Sequence, residues 1–511
     1  MLLSEIARAS ADVTATSSRL AKVSRLVECL AQASPGEVRV AVAYLSGSLP
    51  QGTIGVGWAA LRDLPPPAQP PPTLELLAVD VAASRIASIS GPGSQAARRA
   101  ELEGLFGRAT EDEQQFLAGL LLGELRQGAL EGVMVDAVAK AGGVPASDVR
   151  RALMLSGDLG EVAAGALGEG RGALARFRLT VLRPIQPMLA QTADDLESAL
   201  ARIRPAVVEW KLDGARIQVH RSGADVRAFT RNLADITERV PEIVGAVEGL
   251  AVESAILDGE AIALGPDGRP KPFQVTMSRF GSKVRAGELK DEVPLSPFFF
   301  DVLHLDGEDL IDLPARERLA ALGRRLPAEL CVSRIVTDDV QEARTFLDDA
   351  LARGHEGVMV KSLEARYEAG RRGSGWLKVK VAHTLDLVVL AAEWGHGRRR
   401  GRLSNLHLGA RDAESGGFVM LGKTFKGLTD EMLAWQTERL LELETRREGH
   451  VVHVRPELVV EVAFDGVQTS PRYPGGMALR FARVKGYRPD KGPEEADTIG
   501  TVRSIHEGRP G

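Results

Sequence analysis

The sequence contains little cysteine, carries a small net charge and has no long apolar run. Cys29 and Cys331 are the only cysteines among 511 residues, so neither a disulfide framework nor a tetracysteine zinc site can form. No apolar segment reaches the roughly 18 residues that a membrane-spanning helix needs. The N-terminus has no basic segment followed by an apolar block, as a signal peptide would. These absences favour a cytoplasmic protein with reduced thiols.

The formal net charge of −5 argues against a protein held to nucleic acid by bulk positive charge. The charge is unevenly distributed, however. Residues 361–402 contain ten Lys and Arg against four Asp and Glu, whereas residues 1–150 contain thirteen against sixteen. A local basic surface in the second half of the chain can therefore still carry phosphate contacts.

The length predicts about three domains, at roughly 100–200 residues per domain. The first third is predicted to be helical, because Ser17–Ala33 and Asp112–Ala141 have apolar residues at helical spacing. The first of these helices would bury Leu20, Val23, Leu26, Val27 and Leu30, and a turn near Gln127-Gly128 would divide the second segment into two helices. The proline run Leu64–Pro72 predicts an extended loop, and the glycine-rich loop Gly165–Gly172 is expected to end the helical part.

Alternating strand patterns begin near Thr180. The predicted strands are Ala206–Trp210, Ala215–His220, Ala255–Leu264, Phe298–Leu303, Gly357–Val360 and Trp376–Lys380, and the predicted helices between them are Asp235–Val247 and Asp339–Arg353. This is an α+β pattern. Beyond Leu385, strands separated by glycine-rich turns predict a small β-barrel.

The segment Val207–Arg216 (VVEWKLDGAR) places a lysine between an apolar strand and a tight turn. Period-two geometry puts Glu209 and Lys211 on the same strand face. A lysine in this position can act as a nucleophile if neighbouring cations lower its pKa. Because K-x-D-G alone is a short match that a surface hairpin also satisfies, the interpretation depends on the rest of the sequence.

Later segments supply the other parts of a nucleotide pocket. Asn232 follows Arg231 in FTRNLADIT, and Asp258 and Glu260 alternate on one strand in ILDGEAIAL. The aromatic run FFFDVLHL is followed by HEGVMVK and by RGSGWLKVK, in which two lysines are two residues apart. Together these segments provide a nucleophilic lysine, an aromatic platform, two carboxylates and a cationic clamp for phosphates.

With these motifs in this order, the sequence resembles the ATP-dependent DNA ligases of the covalent nucleotidyltransferase superfamily. It looks like the three-domain archaeal and eukaryotic type, and most like the accessory ligases of actinobacteria. The resemblance covers essentially the whole chain and implies a multidomain fold: an all-α DNA-binding domain over 1–175, an α+β adenylation domain over 176–385 and a C-terminal β-barrel OB-fold over 386–511. It also implies a hinge near Val381–Leu385 that lets the OB-fold swing.

The activity implied by the resemblance is the sealing of nicks with a 5′-phosphate and a 3′-hydroxyl in duplex DNA, in replication, repair or recombination. AMP would pass from ATP to a lysine, then to the 5′-phosphate, and the 3′-hydroxyl would expel it. The implied cofactors are ATP and Mg²⁺, with Mn²⁺ as a substitute. The implied partner is nicked double-stranded DNA, bound without a membrane by a cytoplasmic, nucleoid-associated monomer.

The resemblance also implies a role for each pocket residue. The catalytic residue would be Lys211, and the residues that bind ATP and AMP would be Glu209, Lys211, Arg216, Arg231, Glu260, Phe300, Arg372, Lys378 and Lys380. Glu209 would read the adenine edge and Phe300 would stack on adenine. Glu260 and Glu356 would bind the metal ion. Lys361 is left out, because five residues after Glu356 it would face the other side of a regular strand.

The cations of this set would act on different parts of the nucleotide. Arg216 and Arg231 would hold the ribose and phosphate regions, and later the 5′-phosphate of the nick. Arg372, Lys378 and Lys380 would neutralise the α-phosphate as charge builds in the transition state. The two lysines would also lower the pKa of the nucleophilic lysine, because like charges disfavour protonation.

The segment Val467–Thr498 resembles the last superfamily motif, which orients the pyrophosphate leaving group. The matching residues are Arg483, Arg488, Asp490 and Lys491. The chain departs from the family where FARV replaces the usual F-P-R-F, and where Gly486 stands at a common arginine position. Four arginines, Arg398, Arg399, Arg400 and Arg402, form a basic loop that is predicted to contact phosphodiesters.

Other functions compete with this interpretation. Gly417–Thr424 (GFVMLGKT) matches the Walker A string, and a P-loop ATPase would use its Lys423. We predict a strand there, because four apolar residues separate the glycines and no helix pattern follows. An RNA ligase or a GTP-using capping enzyme shares the K-x-D-G chemistry, and a non-catalytic DNA-binding protein is a further alternative. The helical first third favours DNA, and two cysteines cannot supply the zinc site of NAD-dependent ligases.

Overall fold

The main hydrophobic cores divide the chain into three successive regions, and a smaller cluster packs Met154 and Leu155 of the first region against the second. The computed structural model describes residues 1–52, 54–125, 131–281, 293–368, 372–380 and 383–507, without the side chains of 281, 372–374 and 398. A helical region has its core between Leu3 and Leu174, and a sheet-rich C-terminal region has its core between Leu385 and Val502. A mixed central region lies between them. Within the described ranges, no helix is long and apolar enough to cross a membrane.

Helices fill the first region. They are α1 (Leu3–Ala15), α2 (Arg19–Leu30), α3 (Val38–Leu45), α4 (Leu76–Ser88), α5 (Ser94–Phe106), α6 (Glu111–Leu122), α7 (Glu131–Ala141), α8 (Ala146–Ser156), α9 (Leu159–Gly168) and α10 (Arg171–Leu174). Local sequence determines where they begin and end. Ser18 caps α2 by accepting a hydrogen bond from the Ala21 N–H. Thr110 and Glu113 form a capping box at the start of α6, and Gly123, at a φ of +68°, ends it.

These helices confirm both helical predictions for the first third. The proline run Leu64–Pro72 contains neither helix nor strand, as expected. The predicted loop Gly165–Gly172 is wrong in part, because α9 continues to Gly168 and α10 begins at Arg171. A turn at Gly170, at a φ of +70°, separates these two helices. The predicted turn near Gln127-Gly128 lies outside the described residues.

Leu20 is not part of the buried face predicted for α2. Its side chain is 82% exposed, whereas Val23, Leu26 and Leu30 are buried. The first turn of α2 contacts α7 through its neighbour Arg19, which donates to Asp136 at 2.6 Å. A polar contact therefore replaces the expected apolar one at this end of the helix.

Two five-stranded sheets form the central region. The strands are β1 (Leu189–Thr192), β2 (Ala206–Trp210), β3 (Ala215–Ser222), β4 (Asp225–Thr230), β5 (Ser254–Ala263), β6 (Leu295–Leu305), β7 (Glu308–Asp309), β8 (Arg334–Val336), β9 (Gly357–Ser362) and β10 (Arg372–Lys380). One sheet has the order β1-β10-β9-β2-β8 and the other β4-β3-β5-β6-β7. The helices are α11 (Leu196–Arg202), α12 (Pro241–Glu248), α13 (Phe273–Gly281), α14 (Ala315–Arg325) and α15 (Val340–Ala352).

The six strands predicted for this region are confirmed. The predicted helix Asp339–Arg353 matches α15, which Asp339 caps by accepting from the Glu342 N–H. The predicted helix Asp235–Val247 begins later, at Pro241, after a short 3₁₀ turn. The residue before a proline is disfavoured in the helical conformation, and Val240 has non-helical backbone angles.

A seven-stranded antiparallel sheet forms most of the C-terminal region. Its elements are β11 (His383–Trp394), β12 (Leu403–Arg411), β13 (Phe418–Thr424), α16 (Asp430–Glu442), β14 (Glu444–Glu448), β15 (Val451–Val454), β16 (Val459–Phe464), β17 (Gly466–Thr469), β18 (Met477–Arg480), β19 (Arg483–Tyr487) and α17 (Ile499–His506). The sheet runs β13-β12-β11-β15-β14. β16 also pairs with β11, β19 pairs with β16, and β17 pairs with β18 as a separate hairpin. The strand pairings between described residues do not close into a barrel.

The first two regions are joined by side chains of β3. Gln218 accepts from the Ile185 N–H at 2.8 Å, and His220 accepts from the Leu182 N–H at 3.0 Å. Burial, reinforced by the nearby His304, lowers the pKa of His220 to about 3. The segment that leaves the helical region is therefore attached to the sheet that carries the site.

Candidate active site

Backbone hydrogen bonds hold Lys211 in place directly after β2. Its N–H donates to the Gly357 carbonyl at 2.9 Å, and its carbonyl accepts from the Glu356 N–H at 3.1 Å. In the following turn, a Cβ at Gly214 would collide with the carbonyl oxygen of Ala261 on β5. Only glycine allows this close approach, so the turn fixes the lysine where the two central sheets meet.

Cross-strand register places the predicted residues of the first central sheet on one face. Glu209 and Lys378 both lie opposite Met359 on β9, and Lys380 lies opposite Gly357. Directly opposed residues of antiparallel strands project to the same face. This arrangement agrees with the alternation predicted from the sequence.

The second central sheet contributes a fixed arginine. Arg216 lies opposite Glu260 and donates to both carboxylate oxygens of Asp258 at 2.6 Å. Its guanidinium carbon lies 4.7 Å from the ring centre of Phe300, and the Tyr367 hydroxyl donates to Asp258 at 2.6 Å. Arg216 is therefore held in one orientation before a ligand binds.

A cavity of about 700 Å³ is lined by residues of both central sheets. It brings together the predicted residues Glu209, Lys211, Arg216, Arg231, Glu260, Phe300, Lys378 and Lys380. Cavities of this size hold nucleotide-sized ligands. Arg372 lies on β10, but its side chain is outside the described part of the structure.

Ion pairs lead from Lys211 to the C-terminal region. The Lys211 ammonium pairs with the Glu356 carboxylate. Lys380 Nζ lies 3.1 Å from the same carboxylate and 2.8 Å from Asp465. Burial raises the pKa of Glu356, but the two ammonium groups outweigh burial and lower this pKa below its usual value.

A second contact places the β17–β18 hairpin against residues 211–214, the loop between β2 and β3 that is called the lysine loop below. Arg480 pairs with Asp213 at 2.7 Å, and its guanidinium carbon lies 4.8 Å from the ring centre of Phe273. Burial raises the pKa of Asp213, and Arg480 opposes this rise. No local sequence pattern marks Arg480 or Asp465, because their partners Asp213 and Lys380 are 267 and 85 positions away.

Glu260 and Glu356 are the carboxylates predicted to hold a metal ion. Burial raises the pKa of Glu260 to about 7, against the positive charges of Arg216 and Lys211. Within the described ranges, no group of three or more His, Cys, Asp or Glu could hold a metal ion. Magnesium needs only one or two carboxylates when phosphates and waters complete its shell. The two glutamates fit an ion that binds together with a nucleotide.

Lys361 lines the cavity, so its predicted orientation away from the site is wrong. Its ammonium pairs with Glu209, and Nζ lies 4.2 Å from the ring centre of Phe300. The prediction assumed a regular strand from Glu356 to Lys361, in which alternate residues face the same side. However, β9 begins only at Gly357, and the φ of +140° at this glycine breaks the alternation.

Sequence reasoning also missed two aromatic residues at the site. Trp376 lines the cavity on β10, two residues before Lys378, so strand alternation offered a signal for it. Tyr367 lies in the segment after β9 and touches Asp258 through contacts distant in sequence. No local pattern distinguishes Tyr367.

The residues of the last predicted motif lie elsewhere. Arg488 and Lys491 pair with Asp386 at 3.1 and 2.6 Å, and Arg488 also pairs with Asp490 at 2.6 Å. Arg483 is exposed at the start of β19. Among the described residues that line the cavity, none belongs to this motif. The structure therefore places Asp465 and Arg480, and not this motif, beside the lysine loop.

The Walker A match is a strand, as predicted. Gly417 precedes β13, which ends at Thr424, and the next helix begins only at Asp430. Lys423 pairs with Glu393, which also accepts from Asn405 at 2.7 Å. A P-loop needs a helix directly after its threonine, so the P-loop hypothesis is excluded.

The basic loop lies between β11 and β12. Arg399 donates to the Phe425 carbonyl at 2.5 Å, and Arg400 and Arg402 are exposed. The side chain of Arg398 is outside the described part. Contact of this loop with phosphodiesters stays a prediction.

Three family profiles match successive parts of the chain. The profile described as "DNA ligase N terminus" matches residues 59–139. "ATP dependent DNA ligase domain" matches residues 187–380, and "ATP dependent DNA ligase C terminal region" matches residues 399–491.

Whole-length relatives and a solved structure agree with these profiles. The chain is 60% identical over 513 residues to a "Probable DNA ligase" of Anaeromyxobacter dehalogenans (strain 2CP-C), covering 99% of this chain and 100% of that one. It is 59% identical over 524 residues to a "Probable DNA ligase" of Mycobacterium sp. (strain KMS), with coverage of 99% and 100%. A solved structure titled "Pmar-Lig_Pre" shares the fold, with a TM-score of 0.64, 18% identity and coverage of 95% and 99%.

Proposed function

The chain belongs to the ATP-dependent DNA ligases, and we propose that Lys211 is the nucleophile of its adenylylation step. Enzymes of this family seal nicks in DNA, use ATP as the AMP donor and need a divalent metal ion such as Mg²⁺. The observation that carries the assignment is the position of Lys211, fixed at the end of β2 in the cavity. Glu356 and Lys380 lie beside it.

In the first step, the free amine of Lys211 attacks the α-phosphorus of ATP. A P–N bond forms while the bond to the pyrophosphate oxygen breaks, pyrophosphate leaves, and the nitrogen releases a proton to water. Before the reaction, Glu356 orients the lysine by accepting its hydrogen bond. Positioning of the amine and stabilisation of charge supply most of the catalysis in such a transfer.

The cations of the cavity bind the phosphates. Lys378 and Lys380 project from one strand face toward the α-phosphate and neutralise its charge, with Arg372 on the same strand. Arg216 and Arg231 hold the ribose and later the 5′-phosphate of the nick. Glu260 and Glu356 would hold Mg²⁺, which screens phosphate charge when bound.

The remaining steps use the same pocket. AMP passes from Lys211 to the 5′-phosphate, forming a diphosphate bond, and the 3′-hydroxyl then attacks this phosphate and releases AMP. DNA is the partner of the family, and we infer that this chain binds it as a monomer in the cytoplasm. Arg488 and Lys491 orient the pyrophosphate once the C-terminal region moves away from Asp213 and Lys380.

We propose domains over 1–175, 176–385 and 386–511, with the last forming an OB-fold. The separate hydrophobic cores support the division. The antiparallel sheet around β11, with α16 packed on it, supports the OB-fold. The proposed hinge Val381–Leu385 follows β10 and includes the first three residues of β11, and residues 381 and 382 lie outside the described ranges.

Covalent labelling tests this assignment. The protein is incubated with ATP labelled on the α-phosphate and Mg²⁺, without DNA, and the modified peptide is mapped. We expect acid-labile AMP on Lys211 in the wild type and in Lys423→Ala, and none in Lys211→Ala. Label at another residue, or label that survives Lys211→Ala, would overturn the assignment. Label with GTP but not ATP would favour a capping-type enzyme.

A further inference from the structure

The carboxylate of Glu209 is buried in the wall of the cavity between two cations. Its side chain is 1% exposed, and it pairs with Lys361, whose side chain is 5% exposed. The second cation is Arg334 on β8, opposite Glu209 in the sheet. Arg334 Nη1 lies 3.8 Å from the carboxylate, too far for a hydrogen bond.

One oxygen of this carboxylate is left without a hydrogen bond. Lys361 contacts Oε2, whereas the buried Oε1 has no hydrogen-bond partner among the described residues. A buried acceptor without a donor is costly, and most such groups in folded proteins are satisfied. Because Glu209 lines the cavity, a donor on a bound ligand can satisfy Oε1.

Lys361 is itself held in one position by aromatic rings. Its Nζ lies 4.2 Å from the ring centre of Phe300 and 4.3 Å from that of Trp376. Ring faces attract cations, most strongly when the cation is shielded from water. Burial lowers the pKa of Lys361, and Glu209 opposes this shift. The Lys361 ammonium therefore contacts both the aromatic rings and the Glu209 carboxylate that line the cavity.

We propose that Lys361 is a positioning residue, which holds the Glu209 carboxylate in the orientation in which Oε1 accepts a hydrogen bond from the exocyclic 6-amino group of adenine. This inference rests on the proposed role of Glu209 as the reader of adenine. An ionised carboxylate only accepts hydrogen bonds. It therefore matches the 6-amino donor of adenine and repels the 6-oxo acceptor of guanine or hypoxanthine.

Arg334 cannot replace Lys361 in this role. Its Nε donates to the Val332 carbonyl at 3.4 Å, which directs the guanidinium away from hydrogen-bond distance of Glu209. Without Lys361, the buried carboxylate would lose its close counter-charge, a state that protein interiors strongly disfavour. Selection of the base should then weaken even though Glu209 is still present.

The test compares ATP with purine riboside triphosphate, which lacks only the 6-amino group. Formation of the covalent nucleotide on Lys211 is measured for both substrates in the wild type and in Lys361→Met, Lys361→Gln and Lys361→Arg. A hydrogen bond to a charged group corresponds to a preference of roughly 10- to 100-fold. We expect the wild type to show this preference in kcat/KM, chiefly through a lower KM for ATP.

For Lys361→Met we expect the preference to fall to within a few-fold of one, with a raised KM for ATP. Lys361→Arg should retain most of the preference, and Lys361→Gln should lie between the two. The ratio is measured within a single protein preparation, so partial misfolding cancels and a purely structural role would leave it unchanged. If Met does not fold, the Gln variant supplies the same comparison.

Two outcomes overturn the inference separately from the proposed function. If Lys361→Met or Lys361→Gln labels normally and keeps the wild-type ratio, Lys361 does not position Glu209. If the wild type itself does not distinguish the two nucleotides, Glu209 does not read the 6-amino group. Failure of the wild type to form any covalent nucleotide would instead contradict the assignment of Lys211.

Discussion

The charged side chains of Arg216 and Lys361 each form an ion pair with a buried carboxylate, and these ion pairs fix the side-chain orientations. Asp258 compensates Arg216, with Tyr367 as a further donor, and Glu209 compensates Lys361. Breaking such a pair by removing one member is strongly destabilising. The proposed nucleotide-binding residues Arg216 and Glu209 therefore depend on their partners Asp258 and Lys361.

Tyr367→Phe tests the network around Arg216. The hydroxyl donates to Asp258 at 2.6 Å and accepts from the Met188 N–H at 3.0 Å, so its removal leaves a buried donor unpaired. We expect the free energy of unfolding to fall by about 1–2 kcal/mol, measured by urea denaturation. Tyr473→Phe, in a C-terminal turn, should change it by less than about 0.5 kcal/mol. Equal effects would contradict the proposed importance of the network.

Gly214→Ala tests the turn that fixes Lys211. The added Cβ would meet the backbone oxygen of Ala261, which cannot move without shifting β5. We expect the rate of adenylylation to fall at least about 100-fold, because small displacements of reacting groups have effects of this size. Gly245→Ala in α12, where a Cβ meets nothing within 4 Å, should leave the rate unchanged. A Gly214→Ala enzyme with normal rates would show that the turn tolerates a side chain.

At the scale of elements, strands were more predictable than the contacts between them. Alternating sequence located β2 and β10, with Glu209, Lys378 and Lys380 on one face of their sheet, and it also located β5 in the other central sheet. The same rule failed for Lys361, because an irregular glycine lies between it and Glu356. Tyr367, Asp465 and Arg480 reach the site through contacts distant in sequence, which periodicity does not encode. Leu20 was wrongly predicted to be buried, because helical spacing does not show which turns of a helix pack against another helix.

The attachment of the 182–185 segment to β3 should make stability depend on pH. The folded-state pKa of His220, about 3, is below its ordinary value of 6.5. Between pH 7 and pH 5 the unfolded chain therefore takes up a proton that the folded protein excludes. We expect this group to remove about 2 kcal/mol of stability over that range.

Urea unfolding at pH 7 and pH 5 measures this contribution. His220→Gln should be less stable than the wild type at pH 7 but should lose about 2 kcal/mol less on acidification. His396→Gln, at an exposed position, should match the wild type at both values. An unchanged pH dependence in His220→Gln would show that His220 is not the group responsible.

At the scale of the whole molecule, two ion pairs link the C-terminal region to the central region. These are Arg480 with Asp213 and Lys380 with Asp465. Neither pair is part of a continuous hydrophobic core, so the contact can be broken and remade. In this arrangement Arg488 and Lys491 pair with Asp386 and do not line the cavity.

Arg480→Met combined with Asp465→Asn should release this contact. We expect the radius of gyration measured by small-angle X-ray scattering to increase at low ionic strength, because both ion pairs are lost. Arg455→Met removes only an exposed pair with Glu457 two residues away and should leave the radius unchanged. A double variant as compact as the wild type would show that other contacts hold the C-terminal region.

The transfer of AMP from Lys211 to a nick tests the central claim most directly. The protein is loaded with α-labelled ATP, freed of nucleotide and mixed with nicked duplex DNA and Mg²⁺, and the label is followed over a single turnover. We predict that label leaves Lys211, appears on the 5′-phosphate and is released as AMP as one nick is sealed per loaded enzyme. Sealing while the label stays on the protein, or sealing by Lys211→Ala supplied with ATP, would contradict the role of Lys211.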